Sequence, residues 1–127
     1  MKNFSLWLIL ALLLIASPAN ASPTIRIAGD VYQPCSGISR IACYDKPTNT
    51  IWMRASIKPE NIEYVFLHEY GHYLTLGSPA QELQQLFPAY GNLTVWERAA
   101  DGFYLFVKYP EFRTEQTTKF WINNLKK

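Results

Sequence analysis

The two histidines of this chain lie four residues apart, in the segment His68-Glu69-Tyr70-Gly71-His72. On an α-helix, positions i and i+4 share one face, so both imidazoles can bind the same metal ion. Glu69 follows the first histidine, where a glutamate can take a proton from a water molecule held by that ion. This H-E-x-x-H pattern indicates a hydrolytic zinc site. The alternative is an amphipathic helix that carries two histidines on its polar face.

A zinc site of this kind needs a third protein ligand, and because the chain has no other histidine it must be a carboxylate or a thiolate. The metzincin pattern is excluded, since Ser78 stands where its third histidine belongs. Glu97 is the best candidate because it lies on the next long predicted helix, with Glu82 as the reserve. Thr94 and Glu97 also have the spacing of a capping box, in which the glutamate would instead bond to the Thr94 backbone.

Asp101 lies one helical turn beyond Glu97 and can accept the remaining N–H of a liganding imidazole, which would fix the tautomer of that ring. Ala99 and Ala100 lie between the two acids and are small enough for two helices to approach closely. The alternative for Asp101 is a solvated position on a surface helix. The sequence thus predicts two facing helices that bring together His68, His72, Glu97 and Asp101.

These residues resemble the gluzincin metallopeptidases, in which H-E-x-x-H on one helix is completed by a glutamate in an E-x-x-A-D pattern on a following helix. The resemblance covers roughly residues 50–108, and the compact size is similar to that of the ImmA/IrrE-like zincins. It implies Zn²⁺ as the cofactor, a peptide or protein substrate, and hydrolysis by a zinc-bound water that Glu69 activates. The matching residues are His68, Glu69, His72, Glu97, Ala100 and Asp101.

The chain departs from the larger gluzincins in two respects. Those enzymes carry a downstream histidine or tyrosine that stabilises the oxyanion, and here only tyrosines such as Tyr90, Tyr104 or Tyr109 are available. The second lobe that forms one side of their cleft is also missing. A second hypothesis therefore stays open, namely a non-catalytic exported domain that uses zinc as a structural staple or binds a partner protein.

The amino-terminal residues 1–21 have the features of an export signal. A positive start at Lys2 is followed by an apolar run from Phe4 to Ala16, and Ala19-Asn20-Ala21 matches a small-x-small cleavage site. Cleavage would leave one domain, residues 22–127, secreted or periplasmic and without a stable membrane span. The alternative is an uncleaved anchor, but the apolar run is shorter than the roughly 20 residues that span a bilayer.

Export would place Cys35 and Cys43 in an oxidising compartment, so we expect a disulfide between them rather than two metal thiolates. The formal net charge is only +2, and the closest basic pair is Lys126-Lys127 at the end of the chain. Scattered cations of this kind argue against nucleic acid as a partner. The oligomeric state is not predicted.

The hydrophobic pattern predicts an α+β domain in which a short antiparallel sheet or hairpin precedes the metal helix and further packed helices. The stretches 38–44 and 50–55 flank a turn-forming segment and are predicted to pair as a hairpin, with 50–55 as an edge strand along which a peptide substrate lies. A further short strand is expected at 25–28. The predicted helices are 59–76, a short helix capped by Ser78 that ends before Pro88, 94–109, and 112–125.

Overall fold

The computed structural model describes residues 21–38 and 40–126, so the predicted export signal lies outside the described residues except for Ala21. The described chain forms an α+β domain with a three-stranded sheet followed by four α-helices, which confirms the predicted fold class. The elements are β1 (Thr24–Ala28), β2 (Ala42–Asp45), β3 (Thr50–Arg54), α1 (Pro59–Leu74), α2 (Ala80–Leu86), α3 (Val95–Lys108), a short 3₁₀ helix (Pro110–Phe112) and α4 (Glu115–Leu125).

The sheet has the strand order β1-β3-β2. Strands β2 and β3 pair antiparallel, which confirms the predicted hairpin, although β2 begins at Ala42 and not at the predicted residue 38. Strand β1 pairs parallel to β3, and the sheet is therefore mixed. The prediction that residues 50–55 form an edge strand is wrong, because β3 is hydrogen-bonded on both sides. Its side chains explain the central position: Ile51 and Met53 are buried in the core that the sheet shares with the helices.

Helix α1 begins at Pro59, where a proline needs no intrahelical N–H partner. It ends two residues before the predicted boundary, and the Thr75 hydroxyl that follows it donates to the Gly71 carbonyl at 3.0 Å. The buried side of the helix includes Val65, Leu67, Tyr70 and Leu74. Ile62, near the start of the same helix, is 45 % exposed.

Two other helix starts differ from the sequence pattern. Pro79, rather than Ser78, is the N-cap of α2. Its backbone is extended, and its side chain forms no capping hydrogen bond. Phe112 lies in the 3₁₀ helix and is 58 % exposed, so it does not contribute to the apolar face of α4. Thr114 instead caps α4 and forms a reciprocal capping box with Thr117.

Helices α1 and α3 cross in close contact at Gly71 and Ala100. A Cβ atom placed on Gly71 would lie 2.8 Å from the Ala100 Cα and 3.0 Å from its carbonyl oxygen. Ala99 and Ala100 are fully buried, as expected for small residues at a close helix crossing. The contact fixes the face of α3 that meets the histidine-bearing face of α1. Gly71 lies inside the H-E-x-x-H segment, so one pentapeptide supplies both the imidazoles and the space that the partner helix needs.

Cys35 and Cys43 form a disulfide, as predicted, and neither sulfur is therefore free to act as a metal thiolate. The bond closes the loop that leads into β2 and belongs to a small separate core with Val31. A disulfide fits an oxidising compartment. Within the part of the chain that the structure describes, no helix combines the length and the apolar character required to cross a membrane.

Candidate metal centre

Helix α1 presents the two imidazoles one turn apart, and α3 brings a carboxylate to them from the opposite side. The Glu97 Oε2 atom lies 2.9 Å from the His68 Nε2, and its Oε1 atom lies 3.1 Å from the His72 Nε2. One ligand atom from each of the three residues lies within 4.8 Å of the others. The structure thus brings together the three residues that the sequence predicted as ligands.

The donor set fits a zinc ion in chemistry and in spacing. Two imidazole nitrogens and one carboxylate form a common ligand set of catalytic zinc sites. In a tetrahedral site with metal–ligand distances of about 2.1 Å, neighbouring donor atoms lie roughly 3.4 Å apart. The separations of 2.9 and 3.1 Å between the Glu97 oxygens and the two imidazoles are slightly shorter. A displacement of a few tenths of an ångström would therefore give the donors the spacing that a metal requires.

Only one of the two hydrogen bonds of the capping box between Thr94 and Glu97 is present. The Thr94 side chain accepts a hydrogen bond from the Glu97 backbone N–H at 3.2 Å, which caps α3. The Glu97 carboxylate does not return to the Thr94 backbone but points to the two histidines. Because the cap uses only the backbone amide, the same residue can start the helix and supply a ligand.

Asp101 holds the ring of His68 from the side opposite Glu97. Its Oδ1 atom lies 2.7 Å from the His68 Nδ1, and the side chain is 19 % exposed rather than solvated. The Tyr64 hydroxyl donates to the same Oδ1 at 2.7 Å, and the Tyr90 hydroxyl donates to Oδ2 at 3.0 Å. With Nδ1–H donated to Asp101, the His68 Nε2 remains the nitrogen available to a metal.

Tyr64 and Tyr90 were not predicted as partners of Asp101. Tyr64 lies one turn before His68 on α1, so its spacing could have indicated it, whereas Tyr90 lies in a loop and carries no such signal. Burial and the hydrogen bond to Asp101 raise the pKa of both hydroxyls, which therefore stay protonated donors at neutral pH. Tyr104 and Tyr109, the other tyrosines considered for the oxyanion, pack edge to face on each other.

The charges of the metal-free site are strongly coupled. Burial alone would lower the pKa of His68, but hydrogen bonds to Glu97 and Asp101 outweigh it and raise the pKa to about 9. Hydrogen bonds from His68 and His72 hold the pKa of the Glu97 carboxyl well below its usual range. Without metal, the imidazole of His68 is therefore protonated at neutral pH, and a metal must displace that proton to bind.

Glu69 lies beside the donor group but does not belong to it. Burial raises the pKa of its carboxyl, while the nearby His72 and His68 and a hydrogen bond from the Tyr44 backbone act in the opposite direction. A carboxylate whose pKa is raised toward neutrality is a more effective general base. The contact with Tyr44 also joins Glu69 to β2.

Two cavities open on either side of Glu69. The first, which we call the His72 cavity, has a volume of about 390 Å³, and the second, the His68 cavity, about 370 Å³. Both are lined by Arg40, Glu69 and Glu97. The two cavities meet at these three residues. A ligand that occupied both cavities would therefore pass Glu97 and the other metal donors. Arg40 was not predicted, since an isolated arginine in a loop carries no sequence signal.

Glu82, the reserve ligand, is exposed on α2 and is not among the donors that the described residues bring together. Comparison of the chain with protein-family models, with curated proteins and with solved structures found no match. The similarity to gluzincins stays a prediction that rests on the residues of the two motifs.

Proposed function

We propose that this protein is an exported zinc-dependent peptidase of the gluzincin type. The proposal rests on one observation: the His68, His72 and Glu97 ligand atoms converge within 4.8 Å, beside a cavity that Glu69 also lines. Zinc bound there would polarise a peptide carbonyl and make a water molecule more acidic. His68, His72 and Glu97 would hold it, and Asp101 would orient His68.

We assign to Glu69 the two proton transfers of peptide hydrolysis. Its carboxylate accepts the proton of the attacking water and then delivers it to the nitrogen of the leaving amine, so that no proton is gained or lost over the cycle. Burial raises the pKa of this carboxyl, which makes the carboxylate a stronger proton acceptor. The Tyr44 backbone, hydrogen-bonded to Glu69, keeps the carboxylate next to the donor group.

Strand β2 takes the role that the sequence pattern gave to residues 50–55. It pairs with β3 on one side, and no described strand pairs with its outer edge. Cys43 and Tyr44 of β2 line the His72 cavity together with Glu69. An extended peptide that adds to this edge through main-chain hydrogen bonds would therefore pass the metal donors.

The number of ligands favours a catalytic site over a structural one. Structural zinc sites are closed by four protein ligands, whereas catalytic sites have three and leave one position open. The donor group among the described residues has three members, and the disulfide removes Cys35 and Cys43 as further ligands. A non-catalytic zinc domain would need a fourth donor from a partner.

The metal assignment is tested by zinc stoichiometry of untagged protein. We expect one zinc per chain for the wild type and for Glu82→Ala, and a loss of bound zinc for Glu97→Ala, because Glu97 contacts both imidazoles. Equal zinc content in wild type and Glu97→Ala, or no zinc in any of the three, would contradict the assignment.

The catalytic assignment is tested with Glu69→Gln and a library of unstructured peptides analysed by mass spectrometry. We expect the variant to keep its zinc and to lose peptide hydrolysis by at least about 100-fold, the scale of a lost general base. Glu82→Gln, prepared in the same way, serves as the control for contaminating peptidases. Hydrolysis by Glu69→Gln at the wild-type rate would overturn the proposal.

A further inference from the structure

We propose that the His72 cavity is a subsite for an acidic residue of the substrate, recognised by Arg40 and Lys46. This inference rests on the proposed function and names the substrate class of the same site. Both cations line the His72 cavity, and both side chains are exposed. Trp96, which is 41 % exposed, also lines the cavity. The cavity thus offers two cations and an indole to a side chain that enters it.

The two cations are available to a ligand. Among the described residues, neither the Arg40 guanidinium nor the Lys46 ammonium lies within ion-pair distance of a carboxylate. The carboxylates that line the same cavity are Glu69 and Glu97. Both Glu97 oxygens already contact the histidines, at 2.9 and 3.1 Å, so this acid belongs to the metal donors.

The charged side chains that line the cavity, together with a bound zinc ion, would set its net charge. A bound zinc ion would carry two positive charges, and Arg40 and Lys46 add two more. Glu69, Glu97 and Asp101, which bonds to His68, carry three negative charges, so the balance of these groups is one positive charge. The carboxyl end of α1 also reaches the cavity through Thr75, Leu76 and Gly77. Its dipole contributes roughly half a negative charge. That is too little to cancel the remaining positive charge, and the zinc-loaded cavity favours an anionic side chain.

The position of the cations indicates where the acidic residue binds. Arg40 lines both cavities, whereas Lys46 lines only the His72 cavity. An acidic side chain placed between them lies on the His72 side of Glu69, within a residue or two of the bond to be cleaved. The His68 cavity contains Arg40 but no second cation, so it lacks this pair.

The loop that carries Arg40 is held at both ends. The Cys35–Cys43 disulfide closes it, and the backbone N–H of Arg54 in β3 donates to the Ile41 carbonyl at 2.8 Å. Cys43 itself lines the His72 cavity. The bridge therefore limits the freedom of the segment that presents the cation, which lowers the entropy cost of binding a charged ligand.

The test uses zinc-loaded Glu69→Gln protein and fluorescence anisotropy with a peptide series. Each peptide carries one glutamate at a successive position, and matched peptides carry glutamine or lysine there. We expect one position at which glutamate binds roughly tenfold more tightly than lysine at low salt, with the preference reduced at 0.5 M salt. Arg40→Ala with Lys46→Ala should remove it. Arg26→Ala with Lys119→Ala, which removes two exposed cations outside the cavity, should leave it unchanged.

The outcomes separate this inference from the proposed function. Peptide binding without any preference for glutamate, or a preference that survives Arg40→Ala with Lys46→Ala, overturns the acidic subsite and leaves the peptidase standing. Failure of every peptide to bind, combined with failure of the wild type to cleave any of them, overturns both. Zinc content measured on each variant excludes loss of the metal as the cause.

Discussion

The His72 and His68 cavities share three lining residues and together form a groove, whose two sides differ in how their polar groups are used. On the helix side, formed by α1 and α3, the imidazoles of His68 and His72 and the acids Glu97 and Asp101 bond to one another. On the strand side, formed by β2, the loop before it and the turn after it, Arg40 and Lys46 are exposed. Under the proposed function, the helix side would supply the fixed geometry that catalysis needs, and the strand side would supply accessible groups that bind the substrate.

The two sides are also stabilised differently. Gly71 and Ala100 hold the helix side together by close backbone packing, with no space for a further atom. The strand side has only a small core around Val31, and its disulfide supplies a covalent constraint instead. Perturbing one side should therefore leave much of the other side's behaviour intact.

The largest effect is expected from Gly71→Val. Its side chain would enter the backbone of Ala100, and overpacking of this kind should lower the free energy of unfolding by roughly 3 kcal/mol. Zinc binding should be lost with it, because Glu97 and Asp101 move away from the histidines. Chemical denaturation and zinc titration measure both. Gly29→Val is the control, since a Cβ at Gly29 meets nothing within 4 Å; equal stability of the two variants would refute the packing argument.

Removal of the disulfide by Cys35→Ser with Cys43→Ser should cost about 2 to 3 kcal/mol of unfolding free energy by the loop-entropy argument. Below the melting temperature, the variant should still bind zinc with nearly wild-type affinity, because all three donors lie on the helix side. Calorimetry and zinc titration give the two quantities. If zinc affinity falls as far as it does in Gly71→Val, the two sides are not independent.

The pH dependence of the metal-free protein probes the helix side alone. The pKa of His68 is raised from 6.5 to about 9. Its contribution to the free energy of unfolding is therefore complete below pH 6.5 and is lost as pH rises through 9. The pKa of Glu97 is lowered from 4.5, so its contribution is lost as pH falls below that value. With chelator present, the free energy of unfolding of the wild type should fall by about 2 kcal/mol relative to that of Glu97→Gln between pH 6.5 and 9, as measured by chemical denaturation.

A constant stability difference between these two proteins over that pH range would contradict the charge coupling. Zinc affinity should change in the opposite direction and increase over the same range, because the ion competes with the proton on His68.

The smallest effect is expected from Asp101→Asn, which keeps the shape of the side chain but weakens its bond to His68. Loss of a partner that orients a metal-binding histidine usually reduces metal affinity by about 10- to 100-fold. Zinc titration against a competing chelator measures the change, and Glu82→Gln controls for removal of one negative charge. A reduction as large as that of Glu97→Ala would mean that Asp101 binds the metal itself.

Much of the helix side could be predicted from local patterns. The spacing of His68 and His72 requires only an α-helix to place them on one face, and the Thr94–Glu97 and Glu97–Asp101 spacings act in the same way on α3. The hairpin of β2 and β3 follows from two apolar stretches around a turn. The edge position of β3 was predicted wrongly, because the parallel addition of β1 depends on a contact between distant segments that no local pattern records.

The sequence by itself determined the two histidine donors, the helix that carries them and the pairing of the cysteines, because each depends on spacing along one element or on a small number of candidates. Only the tertiary structure decided which carboxylate meets the histidines, that Tyr64 and Tyr90 support Asp101, and that β2 and Arg40 border the groove. These are contacts between segments far apart in the chain. They are set by how closely α1 and α3 pack at Gly71 and by which strand the sheet leaves at its edge.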